Sequence, residues 1–134
     1  MKKIFLCLFF SLFCFSAKVK NGAYYDATSA ASGEVYFYMY KDDYNPDGYS
    51  FEVVYDLGND NGICYFYDVT NPKVGIVYGT CEYSGRRYKQ LDGTIFKFEF
   101  MENGNLKMNS RIYRPRKMTT NNLRQILYYY HSKY

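Results

Sequence analysis

Residues 34–113 are dense in Tyr, Phe, Val and Ile, and turn-forming dipeptides interrupt the apolar runs at regular intervals. Short runs with period-two alternation and frequent turn signals read as an all-β domain. Asn45-Pro46-Asp47-Gly48 predicts the first hairpin turn: Pro presets φ for the second turn position, and Gly takes the left-handed position of a following bulge. That turn sets Phe37 opposite Leu57, Met39 opposite Tyr55 and Lys41 opposite Val53. Val35, Phe37, Met39, Val53, Tyr55 and Leu57 then share the core face. Tyr36, Tyr38, Tyr40, Asp42, Glu52, Val54 and Asp56 share the other. A one-residue slip would bury Glu52 and Asp56, so burial selects this register.

The second hairpin runs from Ile63–Val69 to Val74–Tyr83 around Thr70-Asn71-Pro72-Lys73. With the turn centred between Pro72 and Lys73, Phe66 lies over Gly79 and Cys64 falls directly opposite Cys81. Directly opposed strand residues can lie about 4.5 Å apart, which a disulfide spans. In the third hairpin, Gly104 as the bulge residue of a three-residue loop sets Phe100 opposite Leu106 and Phe98 opposite Met108. It also sets Glu99 opposite Lys107, an attractive pair. One strand is expected over 105–113 and a shorter one near Arg87–Leu91. Leu123, Ile126, Leu127 and Tyr130 repeat with helical spacing and predict a helix over 120–132 that packs on the sheet or plugs a barrel end. Asn122 is the expected cap, with Gln125 three residues on. The expected fold is mainly β: a small antiparallel meander of six or seven strands, barrel-like, with a C-terminal α-helix and an N-terminal signal peptide.

The leader changes where such a domain would act. Lys2 and Lys3 precede an apolar run, Ile4 to Phe15, and Ser16 and Ala17 are small. That layout predicts a secretory signal peptide over 1–17, too short to span a bilayer. The chain is then secreted or periplasmic, with membrane contact only through the leader before cleavage. Residues 18–33, small and polar, read as a loosely ordered lead-in to a single domain, 34–134. An exported chain that keeps Cys64 and Cys81 is expected to bond them.

The net charge is +4, but it is unevenly spread. Residues 18–68 hold three basic residues against nine acids, and residues 69–134 hold twelve against four. The halves can pair with each other, or one can attract a partner of opposite sign. Arg86, Arg87, Arg114, Arg116 and Lys117 are candidates for an anionic surface such as lipid headgroups or glycans. Export makes nucleic acid an unsuitable target. Asp43, Asn45 and Asp47, followed by Gly48, match the opening of a calcium loop. The twelfth position is Val54 instead of Glu, so the match is incomplete and no cofactor is expected. A cation there would relieve the expected opposition of Asp42 and Glu52.

The single histidine, His131, stands four residues from the C-terminus, and no nucleophile or glycine-rich loop has a catalytic context. No catalytic residue is assigned. Eighteen tyrosines and no tryptophan suit a binding surface, because tyrosine supplies rigid amphipathic contact area. The leading expectation is a non-catalytic binding or inhibitor module acting through Tyr36, Tyr38 and Tyr40 on an unidentified protein. The alternative is a lipocalin-like carrier of a small apolar ligand, with Phe37, Met39, Tyr55, Phe98, Phe100 and Met108 lining the barrel interior.

Overall fold

The computed structural model describes residues 18–26 and 33–133; the leader 1–17 lies outside them, as do residues 27–32 of the lead-in. Eight strands follow in order: β1 (Gly22–Asp26), β2 (Glu34–Lys41), β3 (Tyr49–Asp56), β4 (Ile63–Lys73), β5 (Ile76–Tyr83), β6 (Ile95–Phe100), β7 (Leu106–Met108) and β8 (Arg111–Arg116). A helix, α1 (Thr120–Lys133), ends the chain. Each strand pairs antiparallel with the next and β1 pairs with β8, so the meander closes into a barrel with no free edge.

The strand count exceeds the expected six or seven for two reasons. The supposed lead-in holds β1, whose Ala23-Tyr24-Tyr25 pairs with both β2 and β8. The expected strand over 105–113 breaks at Asn109-Ser110, where both residues have positive φ (49° and 79°), the requirement of a type I′ hairpin turn. In place of a strand near Arg87–Leu91 there is one turn of 3-10 helix, Lys89–Leu91, inside the β5–β6 connection.

The third hairpin has the expected register: Phe100 opposes Leu106, Glu99 opposes Lys107 and Phe98 opposes Met108. The first hairpin keeps the expected faces but slides by four residues, with Phe37 opposite Val53 and Met39 opposite Phe51. Its turn is not tight. Asp42 organises a seven-residue connection, 42–48, by accepting the Tyr44 N–H (3.0 Å) and the Ser50 hydroxyl (2.5 Å). An even shift preserves which side chains face inward, so the pattern alone does not resist it. Glu52 therefore opposes Tyr38, not Asp42.

The second hairpin also slides. Its turn falls at Val74-Gly75, and two irregularities, one between Tyr67 and Thr70 and one between Thr70 and Lys73, shift the register. Asp68 in the first takes a left-handed φ of 50°. Cys64 consequently opposes Tyr83, and Cys81 opposes Phe66. The two cysteines are diagonal neighbours with free, buried thiols, not a directly opposed pair. Phe66 still covers Gly79: a methyl group there would lie 3.1 Å from Phe66 Cβ.

Two cores result. Inside the barrel, Phe37 packs edge-on against Phe98 and Phe100, with ring centroids 5.6 and 4.8 Å apart. Tyr24, Val35, Val77 and Leu106 complete that filling. Outside, the apolar stripe of α1 (Leu123, Leu127, Tyr130) lies on Ala23, Tyr36, Val54 and Ile63. Burying each leucine there contributes about 1.5–3 kcal/mol. Polar bonds orient the same helix: the Tyr130 hydroxyl donates to Asp56 Oδ2 (2.5 Å), and the Tyr65 hydroxyl donates to the Tyr130 carbonyl. The helix is capped by Thr119, whose Oγ1 accepts the Asn122 N–H at 3.2 Å; Asn122 is therefore a capped residue and not the cap.

Candidate functional site: a cup at one end of the barrel

Phe37, Phe98 and Phe100 pack toward the barrel end near the β6–β7 connection, and Phe96, Met108 and Tyr113 continue the same buried cluster toward the other end. At the other end, where β3–β4, β5–β6 and β7–β8 connect, a cavity of about 420 Å³ opens to solvent. Its wall is apolar: Tyr55 and Leu57 from β3 and just beyond, Phe96 from β6, Met108 from β7 and Tyr113 from β8. Strand alternation aims each of these inward.

The polar groups sit at fixed points around this wall. The Tyr113 hydroxyl donates to the Tyr55 hydroxyl at 3.4 Å. Burial, then that bond, raises the Tyr113 pKa above its usual 10, so the group stays a neutral donor. Arg111 begins β8 directly after the Asn109-Ser110 turn and lines the mouth. It bonds Asp26 Oδ2 at 3.2 Å, and the Asp26 side chain has no solvent exposure. Arg87 does not line the cup but contacts two residues that do: it donates to Asn61 Oδ1 (3.4 Å) and lies 5.8 Å over the Tyr88 ring.

Tyr83 fastens these loops. Its hydroxyl donates to the Asn61 carbonyl and accepts the Tyr88 N–H (3.1 Å), while its own N–H donates to Asp92 Oδ1 (3.0 Å). An apolar bowl with Arg111 at its lip and Arg87 behind Asn61 and Tyr88 can seat an apolar body and hold an anionic head. No family model, curated protein or solved structure matches the chain. The reading of the cup rests on its geometry.

The sequence-derived candidates divide between places. Of the interior residues expected for a carrier, only Tyr55 and Met108 line the cup; Phe37, Phe98 and Phe100 fill the barrel instead. Tyr36 leaves the expected outer binding face, because α1 covers it; its hydroxyl donates to Glu34 Oε2 (2.8 Å). Tyr38 and Tyr40 remain accessible, stacked on each other with centroids 5.6 Å apart. Arg86 is exposed on the β5–β6 connection, and Arg114 and Lys117 are exposed on and after β8. Arg116 is paired with Glu34 at 2.6 Å. The basic β8 thus meets acids of β1 and β2, which joins the two charge halves inside one barrel.

Asp43, Asn45 and Asp47 lie on the β2–β3 connection, where Asn45 Oδ1 accepts the Asp47 N–H (3.2 Å) as in an ordinary Asx turn. The opposition of Asp42 and Glu52 that argued for a cation is absent. Arg111, Tyr113 and Tyr88 fall within the basic, tyrosine-interleaved runs 86–89 and 111–117 without being assigned as site residues, and Asn61 lies outside both runs. The signal that would have found Arg111 is the Asn109-Ser110 turn, which places it at the barrel mouth.

Proposed function

We propose that this chain is a non-catalytic binding protein that carries a small amphipathic anion in the open end of its barrel. The observation that carries this reading is the 420 Å³ cup with an aromatic wall and Arg111 at its mouth, with Arg87 held next to it by Asn61. That volume falls within the range of small-molecule sites, about 300–1,000 Å³. The arginines change the expected cargo from purely apolar to one with a carboxylate, sulfonate or phosphate head. The test is a titration with anilinonaphthalene sulfonate followed by displacement. Decanoate should displace the dye, and decanol should do so at least about tenfold less well. Met108→Trp should fill the cup and abolish dye binding while leaving the circular dichroism of the barrel unchanged. Dye binding that M108W leaves intact would sink the proposal.

We also propose that the chain is exported and that Cys64 and Cys81 then become a disulfide. The support is the positive and apolar leader together with two buried thiols at diagonal positions of neighbouring strands. Exchange with a disulfide-bearing oxidant would take both thiol protons and two electrons. The neighbouring Cys81 thiol, then burial, raises the Cys64 pKa, which keeps the thiolate scarce and the exchange slow. Intact mass of the protein recovered from envelope or medium checks both parts. The expected result is loss of the leader and a rise of about 2 Da on reduction. A full-length mass that does not change on reduction rejects both.

A further inference from the structure

Between α1 and the outer face of β2 and β3 runs a second cavity, a groove of about 630 Å³, separate from the cup. Its sheet wall carries Tyr38, Tyr40 and Glu52. Its helix wall carries Asn121, Arg124, Gln125, Tyr128 and, at the far end, His131. Strand geometry explains the first set: Tyr38 and Tyr40 are two residues apart on one face, and Glu52 is the cross-strand partner of Tyr38. Helical spacing explains the second. Residues 124, 125 and 128 form the stripe beside the buried Leu123 and Leu127, so they lean over the sheet as the helix docks.

Three tyrosine rings and a carboxylate therefore line one groove. The face of an aromatic ring carries negative charge, and several rings beside a carboxylate are the usual surroundings of an organic cation, most favourably a quaternary ammonium that no hydrogen bond can satisfy. Arg124 adds a second requirement. Among the described residues, neither Glu52 nor Arg124 makes an ion pair or a side-chain hydrogen bond. An acid and a base that face one groove without meeting leave room between them for a dipole of the opposite sense. A simple cation would leave the guanidinium unanswered, and a simple anion would face Glu52.

We propose that this groove binds a phosphocholine-type zwitterion. The trimethylammonium end lies among Tyr38, Tyr40, Tyr128 and Glu52, and the phosphate end lies against Arg124 and Gln125. The same chemistry occurs in free phosphocholine and in the headgroups of a choline phospholipid surface. The site is independent of the anion cup, which opens at the end of the barrel and shares no residue with it.

The test is calorimetric titration of the full chain with phosphocholine, choline and inorganic phosphate. Phosphocholine should bind at least about tenfold more tightly than either half alone. Glu52→Gln should weaken choline and phosphocholine alike by about tenfold. Arg124→Gln should reduce phosphocholine to the level of choline and leave choline unchanged, a split that general loss of folding would not give. Tyr40→Ala with Tyr128→Ala should abolish binding of both. Dye binding in the cup of each variant reports that the barrel is intact. Co-sedimentation with phosphatidylcholine vesicles identifies the source: retention on vesicles that E52Q abolishes points to a lipid surface, and binding of free phosphocholine alone points to a soluble ligand. The proposal is overturned if phosphocholine fails to bind at about 10 mM, or if its binding survives these substitutions.

Discussion

Two ion pairs join β8 to the acidic half of the chain, and the longer one matters more. Arg116 meets Glu34 at 2.6 Å with both groups partly in water. Such a pair contributes less than about 1 kcal/mol, because solvent screens it and two long side chains must be held still. Arg111 meets Asp26 at 3.2 Å, but the Asp26 side chain is wholly out of solvent. Removing the guanidinium takes a counter-charge from a carboxylate that water cannot reach, which costs about 3 kcal/mol. Urea unfolding should therefore show a shift of that order for Arg111→Met and less than about 1 kcal/mol for Arg116→Met. Equal shifts would mean that burial of Asp26 does not decide the energetics. R111M should also weaken binding of anions in the cup, and R116M should not, since Arg116 does not line it.

Among the elements, α1 is held by its apolar stripe and by one capping side chain. Thr119→Ala removes the acceptor for the Asn122 N–H and should destabilise the protein by about 1 kcal/mol, whereas Asn122→Ala should change little. Thermal unfolding of the two variants tests the assignment. The sequence displays the stripe plainly, but Thr119 and Asn122 are both good caps three residues apart, and only the position of the chain entering the helix separates them. The third hairpin was legible for a related reason: Gly104 in its bulge and the alternation of Phe98, Phe100, Leu106 and Met108 select the same register. The first two hairpins were not, because Asp42 bonding its own turn and Asp68 in a bulge leave the inward-facing pattern unaltered while moving the partners. Strand β1, short and partly built of Gly and Ala, has little strand propensity of its own and forms because β2 and β8 both offer it partners. The cup shows the same limit. Tyr55, Met108 and Phe98 all read as inward-facing, but whether an inward position is packed or open depends on the connections at each end of the barrel.

Across the whole molecule, two hydrophobic layers share the β1–β3 wall, one inside the barrel and one beneath α1. Tyrosines belong to both, and this gives the protein a sharp alkaline limit. Burial is the first cause that raises the pKa of Tyr24, Tyr36, Tyr113 and Tyr130 above 10. Above pH about 10 the unfolded chain releases these protons and the folded chain keeps them. The folded state then binds more protons than the unfolded one, so stability falls as pH rises past that point and is unaffected below it. The urea midpoint should be level between about pH 8 and 9.5 and then drop. Phenolate absorbance should show these four rings ionising only as the barrel unfolds. A midpoint level to pH 11 would contradict the burial argument.

The pairing of β1 with β8 also sets a timetable. Tyr25 lies beside Arg114, so the last contact of the sheet joins residues from opposite ends of the chain. Synthesis runs from the amino end, and seven strands exist before the eighth appears. Until residues 111–116 arrive, both margins of the nascent sheet expose unpaired backbone groups that any extended segment can join. Contacts so distant in sequence also form slowly. A chain cut short before β8 therefore presents two unpaired sheet margins in place of a closed barrel.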